Sequence, residues 1–470
     1  ISLFPFILYK YNFFEQNSAV HSTCNKRFVF IREDRIIKTM VRNNLRSYLG
    51  SLQDKKLLKD LGEAETKFEV ALFEKNTNSP IRVRPKGKNG YIVSNLIISE
   101  ETMAIAFGTD PQNIHDKFMS SSGSPKKISL KDADLKEYVK ISDVNIPAVW
   151  HFENDLGYYM TSSIVIAQSP DKKILNASVH RIRLLGNGKG VIRMVEGRHL
   201  HAIWNMWKNA GRDTPVAIVI GVHPAVELAA AYQAPLGTFE MDIANSLADG
   251  LEFYKSPEHG LPIPEAEFII EGYISKDEKD SDSMVEMLGN YDHTRQQPVI
   301  RFEKIYSRNE PIYWDVLPGG TEHRWLMGFP VEAKLNKEVK SSVPSVKKVY
   351  LTEGGSKWLH AVIQIDKKLE GEPVNAMIAA FAAHPSLKLA IVVDDDIDPK
   401  NPVDVERAIA TRFQASRGLL VIKNAKGSSL DPSSDQEMLL TDKLGIDATI
   451  TLRANKERFR EAKIPGESEK

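Results

Sequence analysis

One cysteine, Cys24, stands among 470 residues. A lone thiol closes no intramolecular disulfide and founds no cysteine-based zinc cluster, which excludes the disulfide-stapled secreted scaffolds and points to a reducing, cytoplasmic setting. Charge of one sign is lacking as well, since 62 Lys+Arg balance 62 Asp+Glu. No global field draws nucleic acid or an acidic membrane surface, so any partner is recognised locally. Long apolar runs are also missing. The stretch Ile1 to Leu8 is broken by Pro5 and ends before Lys10, far short of the ~20 residues a spanning helix needs and without the basic leader of a signal peptide.

The chain has the length for two to four domains at roughly 100–200 residues each. Residues 1–39, which hold Cys24, are read as an upstream, disordered extension, with the chain proper starting at Met40. Leucines from Asn43 to Leu61 are spaced for helices, and 68–73 and 91–98 read as strands, giving an N-terminal α/β domain over 40–125. A Ser/Gly/Pro/Lys-rich stretch at 120–130 has the composition of a linker. A β-rich domain over 126–330 follows. Its strands are 174–185, 191–196, 216–220, 267–274 and 298–306, and helices are expected at 199–211 and 225–232, the second opened by Pro224. From 331 to 470 strands at 360–365, 389–393 and 419–422 alternate with helices at 373–383 and near 403–412, the order of a mostly parallel sheet.

Two features invite a ligand and are read otherwise. Gly186-Asn187-Gly188-Lys189-Gly190 joins two strands instead of opening a helix, so it is a hairpin turn and not a phosphate cradle. Asp394, Asp395, Asp396 and Asp398 follow a strand and could hold Mg²⁺, although acids at strand ends more often solvate a loop. Taken singly, Asn176, Arg181, His199, Glu240 and Glu286 each have an ordinary structural reading.

Read in order, the segments Asn176-Ala-Ser-Val-His-Arg181, Gly197-Arg-His199-Leu, Ile220-Gly-Val-His-Pro-Ala-Val-Glu-Leu-Ala, Glu286-Met-Leu-Gly-Asn-Tyr291, Leu317-Pro-Gly-Gly, Ala408-Ile-Ala-Thr-Arg412, Gly427-Ser-Ser-Leu-Asp-Pro432 and Lys443-Leu-Gly-Ile-Asp-Ala-Thr449 resemble the UbiD family. The resemblance runs from about Met40 to Gly466. It implies a mixed α/β fold with a central split β-barrel that binds prenylated FMN, a C-terminal α/β domain that mediates oligomers, and reversible, non-oxidative decarboxylation.

The resemblance also implies residue roles. Asn176, His199 and Glu240 would bind a divalent ion, usually Mn²⁺, that clamps the flavin phosphate, and an O/N/O donor set suits that ion. K⁺ would sit on backbone carbonyls near Ala229–Tyr232. Ser178, Val179, His180 and Arg198 would contact the cofactor. Arg181 would seat the substrate carboxylate, a task for a guanidinium fork that stays charged. Glu286 would protonate the substrate carbon, helped by an apolar pocket near Met287 and Leu288. The family commonly has a glutamate where Ser281 stands, and Asp280 or, preferably, Asp282 would take its place beside Arg181.

A strand alternates its faces, so Asn176 and Arg181, five apart, should point to opposite sides unless a bulge or bend intervenes. Among family substrates the shorter archaeal type implies anhydromevalonate phosphate, with aromatic acids of the 4-hydroxybenzoate kind as the alternative, or a flavin-binding homologue that has lost turnover. A phosphorylated acid would call for added cations, for which His323, Arg324 and Arg301 are the candidates. A flavin prenyltransferase would supply the cofactor to a homodimer or higher homo-oligomer.

Overall fold

The computed structural model describes residues 43–462 and 464, together with the backbone of a short antiparallel pair, Phe30–Arg32 with Arg35–Ile37. The expectation that 1–39 form a disordered extension therefore lies largely outside the described residues. From Asn43 onward the chain forms one contact unit.

A nine-stranded sheet dominates. Its path runs through Leu175–Val179, Ile164–Gln168, Thr214–Val222, Ala266–Asp282, Arg295–Arg308, Lys189–Ile192, Ile182–Gly186 and Tyr159–Met160, with Tyr138–Lys140 attached to Arg295–Arg308. All its ladders are antiparallel. Leu175–Val179 ends one side of this path, and Ile182–Gly186 lies one strand from the other end. Only His180 and Arg181 separate the two in sequence, so the sheet must curl until its opposite sides meet. That curl is the split half-barrel, and its seam is at 180–181.

The strand expected over 174–185 is thus two strands. Only its second half makes the hairpin, closed by Asn187 and Gly188, both with positive φ (53° and 71°) as a type I′ turn requires. Inside the curl, Ile166, Ala177, Ala217 and Val219 on one face and Val165, Val216, Ile218 and Ile270 on the other are fully buried. Helices therefore cover the sheet: His199–Asn209 on one side, Pro224–Ala231 and Glu240–Leu247 on the other.

The N-terminal part departs from the expected pattern. Leu45–Asp54 is a helix, but Lys59–Ala64 is a strand. Of residues 68–73, expected as a strand, Phe68 is the N-cap and the rest begin the helix Glu69–Asn76, which buries Val70, Ala71 and Glu74 on one face. Six apolar-rich residues fit either period, and here the ladder positions are filled by Lys59–Ala64, Ile81–Pro85, Tyr91–Ser94 and the distant Ile312–Trp314. The last of these means that the N-terminal sheet is completed by chain from beyond the barrel.

The expected boundary at 330/331 falls inside the 22-residue helix Thr321–Ser342. Beyond it the sheet order is Val346–Leu351, His360–Ile365, Leu389–Asp394, Leu440–Ala448, Leu419–Lys426. The three central strands are parallel and both edge strands are antiparallel. Leu419–Ile422 is accordingly an antiparallel edge, because Leu440–Ala448 takes the inner place. Asp394 and Asp396 are held by the Arg412 guanidinium at 2.7 and 2.8 Å, so these acids serve an internal ion pair. No helix among the described residues is long and apolar enough to cross a membrane.

Candidate active site

The seam at 180–181 opens on a cavity of about 310 Å³. Asn176, Ser178, Val179, His180, Arg181, Arg198, His199, Glu240 and Glu286 all line it, so the expected ion, cofactor and catalytic residues other than Asp282 meet at one place, whereas Asp280, Arg301 and Arg324 do not line it. Asp282 stands just behind, on Arg181. The odd spacing of Asn176 and Arg181 is resolved by the break between the strands: the His180 N–H donates to Ser163 O at 2.8 Å, the chain turns, and Arg181 faces the same cavity as Asn176.

At one end are two helix starts. His199 and Glu240 are each the first residue of their helix, and neither N-terminus has a side-chain cap. Uncapped N–H groups with the positive end of the macrodipole favour an anion. Arg198, exposed at the rim, adds a formal positive charge. Glu240 Oε2 accepts from Ala177 N at 2.9 Å, while Oε1 lies 3.9 Å from His199 Nδ1. That distance exceeds a hydrogen bond yet lets one cation touch both atoms. Burial pushes the Glu240 carboxyl up to about 7, as expected of a buried carboxylate that lacks a cationic partner.

Asn176, 2% exposed, is the third member, and its amide is oriented by a chain of hydrogen bonds. His180 Nδ1 lies 2.8 Å from Arg193 O, which can only accept. Nδ1 must therefore be the protonated nitrogen, and Nε2 accepts from Ser178 Oγ at 2.8 Å. Ser178, having spent its proton, accepts from Asn176 Nδ2 at 2.8 Å. The chain fixes which end of the amide is which, leaving Oδ1 for another partner. Burial pushes His180 down to about 4, which keeps the ring neutral and the chain polarised one way at ordinary pH.

At the other end is Arg181. Its Nε donates to Asp282 Oδ2 at 3.1 Å, and its NH1 to Glu286 Oε1 at 2.8 Å. Its NH2 approaches Asp282 Oδ2 at 3.1 Å and Asp292 Oδ2 at 3.8 Å, but without hydrogen-bond geometry, so one guanidinium nitrogen keeps unspent donors. Burial opposes the charge, yet Glu286 and Asp282 outweigh it and raise Arg181 above its ordinary value.

The long strands Ala266–Asp282 and Arg295–Arg308 carry these acids. Asp282 ends the first strand, and the connecting loop, pinned by a Val285–Tyr291 bridge, presents Glu286 and Asp292. Between the two aspartates left open by the sequence, Asp282 is the one on Arg181. Asp280 instead meets Arg183 at 3.4 Å.

Several expectations shift. Met284 and Val285, not Met287 and Leu288, supply the apolar wall beside Glu286. Glu286, with its side chain 27% exposed, sits in an ion pair instead of a sealed apolar pocket. Among the three cation candidates, His323 lines the cavity but is pushed down to about 4 by burial, with Arg181 and Arg324 adding to this, and is neutral. Arg301 is tied to Asp213 at a different surface.

Sequence reasoning missed Arg193, Asp292 and Glu227. Asp292 lies one residue beyond the Glu286–Tyr291 motif and approaches Arg193 at 3.5 Å. Glu227 lines the cavity with neither oxygen hydrogen-bonded, and burial raises it well above the carboxylate range. It stands within the Ile220 motif as a glutamate in an otherwise apolar helix, and that motif was given no role for it.

Known proteins place this architecture. Residues 126–321 match the UbiD Rift-related domain, described for 3-octaprenyl-4-hydroxybenzoate carboxy-lyase, and 324–448 match the corresponding C-terminal domain. Over 411 residues the chain is 43% identical to the anhydromevalonate phosphate decarboxylase of Methanocaldococcus jannaschii, covering 86% of this chain and 97% of that one. The protein of the same name from Aeropyrum pernix is 38% identical, covering 85% and 91%. Among solved structures, the UbiD-class enzyme HmfF from Pelotomaculum thermopropionicum, in complex with FMN, superposes with a TM-score of 0.86 at 35% identity, covering 90% of this chain and 98% of that one. With both domains matched in sequence and a close relative aligned over nearly its whole length, this chain belongs to the UbiD family of decarboxylases.

Proposed function

We propose that the protein is a prenylated-FMN-dependent carboxy-lyase that converts trans-anhydromevalonate 5-phosphate to isopentenyl phosphate in isoprenoid biosynthesis. The observation that carries this reading is the single cavity with an O/N/O donor set at uncapped helix starts on one side and the Arg181 network on the other. The choice of acid rests on relatives of 35–43% identity that bear the name anhydromevalonate phosphate decarboxylase, against 27% for a gallate decarboxylase.

The residues present fit the cofactor and its ion. Asn176 Oδ1, a His199 nitrogen and Glu240 Oε1 would hold Mn²⁺, and Arg198 with the N-terminus of His199–Asn209 would hold the flavin phosphate. K⁺ would lie on the carbonyls where helix Pro224–Ala231 ends, near Ala229–Tyr232. Ser178, Val179 and His180 would wall the flavin. When bound, prenylated FMN supplies an electron sink for the electron pair released as CO₂ leaves.

Arg181 does the seating. Its unspent NH2 donors would donate to the substrate carboxylate, and Asp282 would hold the guanidinium plane while they do so. Once the incoming carboxylate competes for Arg181, Glu286 is freed from its ion pair. It can then take up a proton and deliver it to the carbon that CO₂ has left. Arg193 and Arg198 face the same cavity and would offset the phosphate charge. We further read 40–125, 126–330 and 331–470 as the working domains, a flavin prenyltransferase as the cofactor's source, and a homo-oligomer in the cytoplasm as the working form.

The test is to produce the chain with and without a flavin prenyltransferase, record its flavin absorbance, and measure CO₂ release from anhydromevalonate phosphate and from aromatic acids. Turnover of the phosphorylated acid only with prenyltransferase is expected. Turnover of aromatic acids alone would overturn the substrate, and flavin binding without any turnover would overturn the enzyme reading.

A further inference from the structure

Behind the cavity wall, Glu74, His151 and Asp315 meet, all buried. They come from the helix Glu69–Asn76, the segment after the Lys67–Trp150 bridge, and the residue following the strand Ile312–Trp314. Each offers one ligand atom, and these atoms lie within 4.8 Å of one another. His151 Nε2 is 2.6 Å from Asp315 Oδ2, and Asp315 Oδ1 accepts from Thr161 Oγ1 at 2.9 Å.

The partners that are missing are the informative part. Glu74 is 3% exposed and neither of its oxygens has a hydrogen bond, and His151 Nδ1 has none either. Tyr313, two residues before Asp315 in an extended segment, has a buried hydroxyl with no partner. Two carboxylates and one imidazole meet here out of contact with water, an arrangement that folding does not tolerate without protons or a cation to offset the charge. A proton shared between Glu74 and Asp315 is the alternative to a cation, and it would still leave His151 Nδ1 without a partner. A divalent ion neutralises the cluster and gives Glu74 the partner it lacks.

We propose that Glu74, His151 and Asp315 bind a divalent first-row cation, Mn²⁺ or Zn²⁺, at a closed structural site separate from the Asn176, His199 and Glu240 set. Carboxylate and imidazole donors without thiolate suit these ions. The ion would tie the N-terminal helix to the segment that orients Thr161. Thr161 lines the active-site cavity and accepts from Val316 N at 2.9 Å. The site thus acts as a staple that sets one wall of the cavity.

The experiment is metal analysis by mass spectrometry after exhaustive dialysis of three proteins grown with Mn²⁺ and Zn²⁺. They are the unaltered chain, Asn176→Ala/His199→Ala, and Glu74→Gln. The double variant is expected to keep one tight ion per chain, and Glu74→Gln to lose that ion while keeping the other. EDTA should lower the melting temperature of the unaltered chain by more than that of Glu74→Gln. A double variant that retains no divalent ion overturns the proposal, and it does so even if Glu74→Gln fails to fold. Equal metal content and equal EDTA response in Glu74→Gln and the unaltered chain overturn it too, and would assign the cluster to shared protons. Flavin-dependent decarboxylation by the unaltered chain is scored separately, so the two readings fail independently.

Discussion

Ser178→Ala removes one oxygen from the middle of the chain Asn176, Ser178, His180, Arg193 O. Two hydrogen bonds of 2.8 Å go with it. His180 keeps its bond to Arg193 O, so the ring stays in place, but the Asn176 amide loses the hydrogen bond that tells its two ends apart. Asn176 is 2% exposed, so its Nδ2 loses that partner in a buried position. A buried donor left unpaired costs about 1–3 kcal/mol. If that is the energy by which the amide prefers to offer Oδ1, losing it weakens the cation site by about the 10–100-fold expected when an outer-shell partner is removed. The assay is titration of the flavin-free protein with Mn²⁺, with free ion followed by electron paramagnetic resonance. Ser178→Ala should raise the dissociation constant about 10–100-fold, and Ser178→Thr, which keeps the hydroxyl, should stay near the unaltered value. His199→Ala should abolish binding at this site and carry the flavin with it. An unchanged Mn²⁺ affinity in Ser178→Ala would refute the claim that this chain orients Asn176.

Three further outcomes follow from the same geometry. Asp282→Asn keeps the shape beside Arg181 but removes a buried charge, so turnover should fall by about 10²-fold through misplacement of the guanidinium. The flavin absorbance should stay as it is, and loss of flavin would show that Asp282 serves folding and not positioning. Glu286→Gln should retain flavin yet lose decarboxylation and proton exchange at the product carbon; normal turnover removes Glu286 from the mechanism. Acid stability provides the third. Burial pushes Glu332 up, but the His115 ring at 3.0 Å, Lys357 and the Leu351 N–H outweigh it and bring Glu332 below its ordinary value of 4.5. A lowered carboxyl contributes stability above its unfolded value and loses it as pH falls through the lowered one. Urea midpoints should therefore drop below about pH 4.5 in the unaltered chain, and Glu332→Gln should flatten that acid limb while lowering the plateau; an unchanged limb refutes the assignment.

The C-terminal elements were the most legible, because each is closed by its own local signals. The strand at 360–365, the helix at 373–383 and the strand at 389–393 stand where periodicity placed them, to within a residue. Pro224 opens its helix at the first position, as its fixed φ predicts. What failed was long-range. Whether 68–73 pairs as a strand depends on whether Ile312–Trp314 completes the sheet, over two hundred residues away, and no window of sequence contains that fact. The inner place of Leu440–Ala448 is the same kind of fact, decided by which strand reaches the parallel neighbour. The cavity lining was legible through motif order, whereas Arg193 and Glu227 were not, since an arginine after a hairpin and a glutamate in an apolar helix have no periodic signature.

The odd spacing of Asn176 and Arg181 marks the point where these levels meet. A continuous strand would have put the cation end and the proton-transfer end of the site on opposite faces. Splitting the strand lets the same five-residue step close the curl of the sheet and turn Arg181 inward. Closure and catalytic geometry are then one requirement. His180, at the turn, answers to both: its backbone N–H caps Ser163 O at the seam, and its ring relays orientation from Arg193 O to Asn176. A substitution at 180 that opened the seam would misplace Arg181, and one that only removed the ring would misorient Asn176. His180→Phe keeps the backbone bond and the bulk, so it should weaken Mn²⁺ binding while leaving the Arg181 and Asp282 pairing intact. Loss of both functions in that variant would mean that the ring holds the seam closed, and the separation of the two roles would fall.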